Sequence, residues 1–417
     1  MARPYIKAKV NMKVKSLKSQ LTMLMIIGLV LFIVISLVLY LSKAAIKKQS
    51  KDITKKIQET PMETQPIKDF VQKCLDKLAK DAVLLIGKQG GRIYKSQGGT
   101  LIDYLNSDEG MFFVEYGNLK TAYNILPPRF APIPSPNTDF GNYYPWETFP
   151  YDPLDLTEPP IFEGYFGINN MPPLNPTFGS HSIQTQIETF IDNNIEKCID
   201  INIFKEQGFD ISVGKTNTSV IIGGKDVSVE SKIPITIINS ATNEHAELRE
   251  FSTGVDVRIK DIYFFVRELI DKEVRDIKFN ISSTKNNQDS FKIQLIKNTF
   301  SNDDLIEVSD QKSLLYGKPY EYAFGRKNRA PALYYIKDNV LEFEQEHKIT
   351  ESELIAGYVK KAEDPDEDSL AFSLKKIDGK PLPINLELDI PKLKFKLEVS
   401  DGKLSDYQII TVNRAET

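Results

Sequence analysis

The run over residues 21–41, LTMLMIIGLVLFIVISLVLYL, contains no charged residue. A bilayer core about 30 Å thick needs roughly 20 apolar residues, because a helix rises about 1.5 Å per residue. The run therefore predicts a transmembrane helix over residues 21–42, in contact with the lipid bilayer. A buried core helix and a cleaved secretory signal are the two other interpretations that such a run allows.

Basic residues flank the apolar run on both sides. Six arginines or lysines precede it and six more follow it by residue 56, so the usual excess of positive charge on the cytoplasmic side selects no orientation. A short basic leader is typical of a cytoplasmic tail. We therefore expect a tail over residues 1–20, a helical stalk over residues 43–63 and a large extracytoplasmic domain, which together describe a single-pass protein of the cell membrane.

The segment over residues 18–22, KSQLT, stands directly before and within the apolar run. With that run it resembles an archaeal class III, type IV pilin-like, signal. In that family a peptidase cuts before the glutamine and leaves the hydrophobic helix at the mature N-terminus. The resemblance implies a pilin-like filament subunit as an alternative function.

Charge is unevenly distributed along the 417 residues, which are enough for two or three domains. The first 60 residues contain 12 basic and 2 acidic residues, so the others contain 41 basic and 55 acidic ones, a net charge of about −14. An acidic body repels the phosphates of nucleic acids, so we expect no nucleic-acid partner. The basic flanks of the apolar run suit anionic lipid headgroups instead.

Two cysteines, Cys74 and Cys198, lie in no metal-type spacing. Each falls on the apolar face of a predicted helix, the first beginning at Thr64 and the second running over residues 183–199. Helices with matching apolar stripes pack together, which would bring the two cysteines within reach of a disulfide in an oxidising compartment. Two buried free thiols are the alternative.

A proline-rich segment with many aromatic residues occupies residues 126–180. Prolines at this density break helices and central strands, whereas a disordered linker rarely contains so many aromatics. We therefore predict an ordered loop that lies over the domain. Four of its side chains are candidates for binding a sugar, a peptide or a partner surface, and the other interpretation is that they pack the loop down: Tyr143, Tyr144, Trp146 and Tyr151.

The remaining residues up to 327 predict an α+β domain over residues 64–327 with a mainly antiparallel sheet. A third helix is expected near residues 256–274. Asn217 and Asn280 each begin an N-glycosylation triplet. Strands are predicted from short alternating or continuous apolar runs at 110–116, 209–213, 219–222, 227–229, 233–238, 277–281, 291–296, 305–308 and 314–324.

Three segments near the C-terminus share a second pattern: NRAP at 328–331, AEDPDEDSL at 362–370 and VSDGKLSD at 399–406. They resemble a cadherin-like, dystroglycan-type and immunoglobulin-related repeat. The resemblance implies an all-β sandwich over residues 328–417, and the alternation of apolar residues over 393–399 independently predicts one of its strands.

In that family the matching acidic positions can hold calcium, which takes six to eight oxygen ligands. The resemblance implies four ligands here: Asp364, Asp366, Asp368 and Asp401. The alternative is that the Asp-Pro-Asp sequence forms a turn whose carboxylates bond to nearby backbone amides.

No catalytic signature is present in the sequence. The three histidines, His181, His245 and His347, are far apart and form no zinc motif, and neither a nucleophile elbow nor a phosphate loop occurs. We expect no enzyme activity, with an ectoenzyme acting on surface polymers as an alternative.

The predicted fold class is a membrane-anchored multidomain protein with one transmembrane helix, an α+β domain and a C-terminal all-β sandwich. Its predicted function is structural, adhesive or ligand-binding at the cell surface. Calcium is the one expected cofactor. Surface proteins, glycans and a second copy of the chain are the expected partners besides the membrane.

Overall fold

The computed structural model describes fourteen stretches of the chain: 64–99, 101, 113–116, 119–128, 166–177, 181–288, 290–297, 302–333, 339–341, 349–350, 362–377, 380, 385–386 and 392–414. The predicted tail, transmembrane helix, pilin-like signal and stalk lie outside these residues. So do the four candidate binding residues of the proline-rich segment, Tyr143, Tyr144, Trp146 and Tyr151.

Four α-helices occur in the described part of the chain: α1 Gln65–Lys88, α2 Ile183–Cys198, α3 Ile201–Lys205 and α4 Ile259–Glu273. The strands are short and numerous: β1 Phe113–Tyr116, β2 Leu119–Leu126, β3 Ile168–Asn169, β4 Phe209–Val213, β5 Asn217–Ile222, β6 Val227–Asn239, β7 His245–Val255, β8 Phe291–Lys297, β9 Asp304–Leu315, β10 Lys318–Arg326, β11 Ala332–Leu333, β12 Asn339–Leu341, β13 Ile349–Thr350, β14 Ala362–Glu363, β15 Ala371–Lys375, β16 Asn385–Leu386, β17 Lys392–Ser400 and β18 Ser405–Arg414.

The predicted fold class, a membrane-anchored protein with a transmembrane helix, is wrong for this structure. The described residues form mostly β-sheet, and none of the helices α1 to α4 is long and apolar enough to cross a membrane. The longest, α1, has 24 residues, but lysines and aspartates recur along its exposed face. The span that the sequence predicts, over residues 21–42, lies outside the described residues.

Helices α1 and α2 form where the sequence repeats apolar residues at spacings of three and four. Both helices are amphipathic and bury that face. Ser182 caps α2, because its hydroxyl accepts a hydrogen bond of 3.1 Å from the N–H of Thr185.

The predicted disulfide between Cys74 and Cys198 is confirmed. The two Cα atoms are 5.8 Å apart, and neither cysteine is free. The bond joins the middle of α1 to the last residue of α2. The alternative of two free thiols is therefore ruled out.

The larger sheet has six strands in the order β1-β2-β10-β9-β8, with β3 also paired to β2. It is mainly antiparallel as predicted, although β10 pairs with β2 in parallel. Strands β9 and β10 form a hairpin that divides the predicted strand over residues 314–324. Tyr316 and Gly317 make its turn, both with positive φ, and no β-strand can continue through that conformation.

The second sheet is built on β6, which pairs with β7 on one side and with β4 and β5 on the other. The two strands predicted at 227–229 and 233–238 are one strand of 13 residues. An irregularity in the pairing with β7 between Lys232 and Ile235 accommodates Pro234, which has no N–H to donate.

One predicted strand, over residues 277–281, is absent. Those residues form turns instead, because the Asp276 carboxylate accepts a hydrogen bond of 2.9 Å from the N–H of Lys278. The backbone N–H of Phe279 donates to the carbonyl of Asp276 as well. Local bonds of this kind compete with a sheet ladder.

The described residues beyond 331 are entirely strands and turns. Strands β12, β18, β17 and β15 form one sheet in that order, while β11 pairs with β14 and β13 with β16. The strand predicted over 393–399 lies within β17, where Phe395, Leu397 and Val399 are fully buried. The described residues from Pro66 onward belong to one compact unit.

We expect removal of the disulfide to destabilise the chain strongly, because it closes a loop of 124 residues. Replacing both Cys74 and Cys198 with alanine should lower the free energy of unfolding by about 2–5 kcal/mol. Denaturant unfolding followed by circular dichroism measures the change. Reduced wild-type protein should match the double variant, and an unchanged denaturation midpoint would contradict a structural role for the bond.

Candidate functional site: a buried charge cluster

Two arginines lie in the interior beside the predicted domain boundary. Arg326, the last residue of β10, is 1% exposed, and Arg329, three residues later, is fully buried. Charged side chains are almost never buried to this extent unless they are paired. Their partners come from α4, from β9 and from the turn that follows β14.

Arg326 is held by acids from three elements, since its Nε also lies 3.1 Å from Asp366 Oδ1. Its Nε donates to Asp304 Oδ2 at 3.1 Å, and its Nη2 also bonds to that oxygen. Its Nη1 donates to Glu273 Oε1 at 2.7 Å. Asp304 stands directly opposite Arg326 in the pairing of β9 with β10, so the register of the hairpin itself brings these two charges together.

Arg329 binds Asp366 with both its backbone and its side chain. The N–H of Arg329 donates to Asp366 Oδ2 at 2.6 Å, while Nε and Nη2 donate to Oδ1 at 3.0 and 2.7 Å. Nη2 also reaches Glu273 Oε1 at 2.8 Å, and Nη1 donates to the carbonyl of Phe166 at 3.0 Å. One side chain therefore joins α4, the segment before β3 and the turn after β14.

The pKa values of the cluster follow from burial and pairing. Burial raises the pKa of Glu273 and of Asp304, and the arginines only partly oppose this effect. Burial by itself would lower the pKa of Arg326 and Arg329, but the surrounding carboxylates outweigh it and raise both values. Both arginines are therefore charged at any physiological pH.

Asp364 lies at the edge of the cluster in a turn. Its Oδ1 accepts backbone N–H bonds from Asp366 at 2.8 Å and from Asp368 at 3.1 Å. Burial raises the pKa of Asp364 to about 7, and the neighbouring charges of Asp366 and Asp368 add to this rise. Within the described residues its buried Oδ2 has no hydrogen-bond partner, which leaves room for a proton on that atom.

The four predicted calcium ligands are each bonded to other groups of the chain. Asp366 gives both oxygens to Arg329, and Asp368 Oδ1 accepts from Lys297 Nζ at 2.9 Å. Asp401 Oδ1 accepts the N–H groups of Lys403 and Leu404, both at 2.6 Å.

Across the described ranges, no three acidic, histidine or cysteine side chains group in a way that could hold a metal ion. The geometry matches the alternative interpretation, a turn whose carboxylates bond to nearby amides.

The other predicted site residues are dispersed. Asn217 is exposed at the start of β5, whereas Asn280 is half-buried and its side-chain oxygen accepts a bond of 2.8 Å from the hydroxyl of Ser282. His181 precedes α2 and His245 begins β7, so neither belongs to the charge cluster. His347 lies outside the described residues.

Four members of the cluster were missed by the sequence reasoning: Glu273, Asp304, Arg326 and Arg329. Glu273 did carry a signal, because it follows Leu269 by four residues and Ile270 by three and so falls on the buried stripe of α4. An acid on an apolar stripe predicts a buried cation partner. The identity of that partner depends on contacts between residues 53 and 56 positions apart, which periodicity does not report.

The charge cluster can hold secondary-structure elements together, but its side chains are not accessible to a substrate. Glu273, Arg326 and Arg329 are at most 1% exposed, and Asp304 is 2% exposed. A substrate cannot reach carboxylates that are enclosed and bonded to guanidinium groups. The arrangement is therefore suited to fixing the geometry of α4, β9, β10 and the turn after β14.

No protein-family model matches this chain, and no curated protein matches it. Among solved structures, Drosophila N-cadherin EC1-4 is similar over 50% of this chain and 67% of its own, with 9% identity and a TM-score of 0.16. An endo-fucoidan hydrolase from glycoside hydrolase family 107 covers 49% of this chain and 39% of its own, with 9% identity and a TM-score of 0.13. Similarities at these TM-scores carry no argument about fold or function.

We expect Arg329→Met to lower the free energy of unfolding by about 3–5 kcal/mol, because it leaves buried carboxylates without their cation. Denaturant unfolding measures the loss. Arg249→Met is the matched control, since Arg249 is 70% exposed and pairs with Glu247; it should leave the denaturation midpoint nearly unchanged, because exposed ion pairs contribute little. Equal losses in the two variants would show that burial of the pair has no energetic effect.

Asp364 should make stability depend on pH. Its pKa is about 7 in the folded chain against an ordinary value of 3.8, so its contribution is complete below pH 3.8 and is lost as pH rises towards 7. Asp364→Asn resembles the protonated acid and removes this dependence. Between those limits the wild type should lose about 1.4 kcal/mol per pH unit relative to the variant, measured by denaturant unfolding. Parallel pH profiles would contradict the assignment.

Proposed function

We propose that this chain is a structural, adhesive or ligand-binding protein of the cell surface, with its folded body outside the cytoplasm, and that it is not an enzyme. The observation that carries the proposal is the disulfide between Cys74 and Cys198. Such bonds persist in oxidising compartments and are rare in the cytosol, where thiol systems keep cysteines reduced.

The charge cluster supports a mechanical role over a catalytic one. Its acids bond to Arg326 and Arg329 in the interior, so they act on the chain itself. A buried pair of this kind breaks at a high energetic cost, which suits a protein that must keep its shape while it holds a partner. The acidic body favours protein or glycan partners over nucleic acid.

We also propose that residues 328–417 are a cadherin-like β-sandwich repeat. Support comes from the three motifs at 328–331, 362–370 and 399–406, together with the all-β character of β11 to β18. In this proposal the acidic turn of the repeat binds arginine in place of calcium, since Asp366 is bonded to Arg329.

Thiol trapping in intact cells tests the compartment. Cells that make the full-length chain are first labelled with a membrane-impermeant biotin reagent. They are then lysed in denaturant that contains a maleimide polymer, which attaches to free thiols. We expect biotin labelling and no polymer on the chain, and two polymers after reduction, because Cys74 and Cys198 are the only cysteines.

A variant with both cysteines replaced by alanine is the matched control and should take no polymer with or without reduction. A cytosolic protein of the same cells controls for leakage of the biotin reagent. A wild-type chain that excludes biotin and takes two polymers without reduction would overturn the proposed location.

A further inference from the structure

Arg92 differs from the arginines of the charge cluster because no described acid pairs with it. It lies four residues beyond the end of α1 and is half-buried. Its Nη1 donates to Asn124 Oδ1 at 2.8 Å and to the carbonyl of Gly90 at 3.4 Å. Its Nη2 donates to the carbonyl of Asn170. These acceptors are all neutral amide oxygens, so they satisfy hydrogen bonds without supplying a negative charge.

The positive charge of Arg92 is therefore only partly compensated. The C-terminal end of a helix such as α1 carries a partial negative charge of about half a unit, which balances roughly half of one arginine. Burial lowers the pKa of Arg92, as expected for a cation that gives up water without gaining an acid. The guanidinium nevertheless stays charged, because its ordinary pKa is far above physiological pH.

Part of the Arg92 guanidinium remains able to donate. An arginine has five N–H groups, and the bonds of Arg92 use those on Nη1 and one on Nη2. Within the described residues, Nε has no acceptor, and it is not one of the fully enclosed unpaired atoms there. Nε and Nη2 lie on the same edge of the guanidinium, and that edge can bind both oxygens of a carboxylate.

A second polar group beside this loop also lacks an acceptor. Tyr322 on β10 is fully buried, and a Cβ added to Gly91 would lie only 2.5 Å from its Oη. The hydroxyl lies near the Asn124 amide, yet it makes no hydrogen bond of normal geometry among the described residues. It also interacts electrostatically with Arg92. The region where α1, β2 and β10 meet is therefore rich in donors and poor in acceptors.

We propose that Arg92 binds the carboxylate group of an anionic ligand, with Nε and Nη2 donating to its two oxygens. A carboxylate carries one negative charge, which is what one arginine can neutralise. A phosphate monoester carries nearly two, and none of the described groups bonded to Arg92 is a cation that could balance the second. The inference rests on the proposed ligand-binding function and names the class of ligand.

Equilibrium dialysis of the full-length chain against radiolabelled glucuronate tests this binding. At constant ionic strength we expect saturable binding at a single site, and no competition by glucose, which lacks the carboxylate. Competition by N-acetylglycine equal to that by unlabelled glucuronate shows that the carboxylate alone is recognised, and weaker competition shows that the sugar ring contributes. Absence of binding, competition by glucose, or stronger competition by inorganic phosphate than by either carboxylate overturns the proposal.

Charge variants locate the site. Arg92→Met should weaken glucuronate binding at least about tenfold, because it removes the charge and both donors. Arg249→Met is the matched control, since it removes an equal charge from an exposed position, and it should leave binding unchanged. Equal losses in these two variants overturn the site. Circular dichroism checks that each variant is folded.

Asn124→Asp tests the charge argument while Arg92 stays in place. The substitution puts a carboxylate where Asn124 Oδ1 accepts from Arg92, so the chain itself then supplies the missing negative charge. We expect glucuronate binding to weaken at least about tenfold, as in Arg92→Met. Undiminished binding by a folded Asn124→Asp chain overturns the proposal.

Arginine modification tests the site in the wild-type chain, without any variant that could fail to fold. Phenylglyoxal reacts with guanidinium groups, and mass spectrometry of the peptides measures the rate at each arginine. Glucuronate at about ten times its dissociation constant should slow modification of Arg92 roughly tenfold, because most of the chains are then occupied. Arg249 should react at an unchanged rate.

An unchanged rate at Arg92 in the presence of glucuronate overturns the site. That result leaves the proposed location intact, because thiol trapping measures the compartment independently of ligand binding. Failure of one proposal is thus distinguishable from failure of the other.

Discussion

The contact on which the arrangement of the described residues depends is the pairing of Arg329 with Asp366. Three hydrogen bonds join the two residues, and the same guanidinium reaches Glu273 on α4. Each of these side chains is at most 1% exposed. Because stripping water from buried charges costs nearly as much as their attraction returns, such a cluster adds little net stability. Its effect is selective: any other placement of the turn after β14 leaves a buried charge unpaired.

The disulfide and the charge cluster constrain different parts of the same unit. The bond between Cys74 and Cys198 joins α1 to α2. It stabilises the fold mainly by restricting the conformations of the unfolded chain. The cluster fixes α4 and the β9–β10 hairpin against the turn that carries Asp366. The first constraint is covalent and independent of pH, whereas the second depends on the ionisation of buried acids.

Periodicity predicted most helices and many strands, because a buried stripe repeats every three or four residues whatever lies opposite it. It placed both cysteines on packed faces for the same reason. It failed where backbone detail decides: the strands predicted at 227–229 and 233–238 form one strand, β6, whose irregular pairing accommodates Pro234, and Asp276 turns the chain where a strand was expected. Periodicity could not predict the charge cluster, because Asp366 and its partner Arg329 are 37 residues apart. The sequence motif around Asp366 indicated a calcium ligand instead.

The cystine linkage has a consequence for the segment between its two ends. Residues 75–197 include the proline-rich stretch, and a protease that cuts the backbone anywhere in that interval produces two polypeptides that stay covalently attached. Such a nicked molecule would keep its mass on a non-reducing gel and separate only after reduction. The two pieces can thus remain joined after cleavage within this interval, provided that their surroundings remain oxidising.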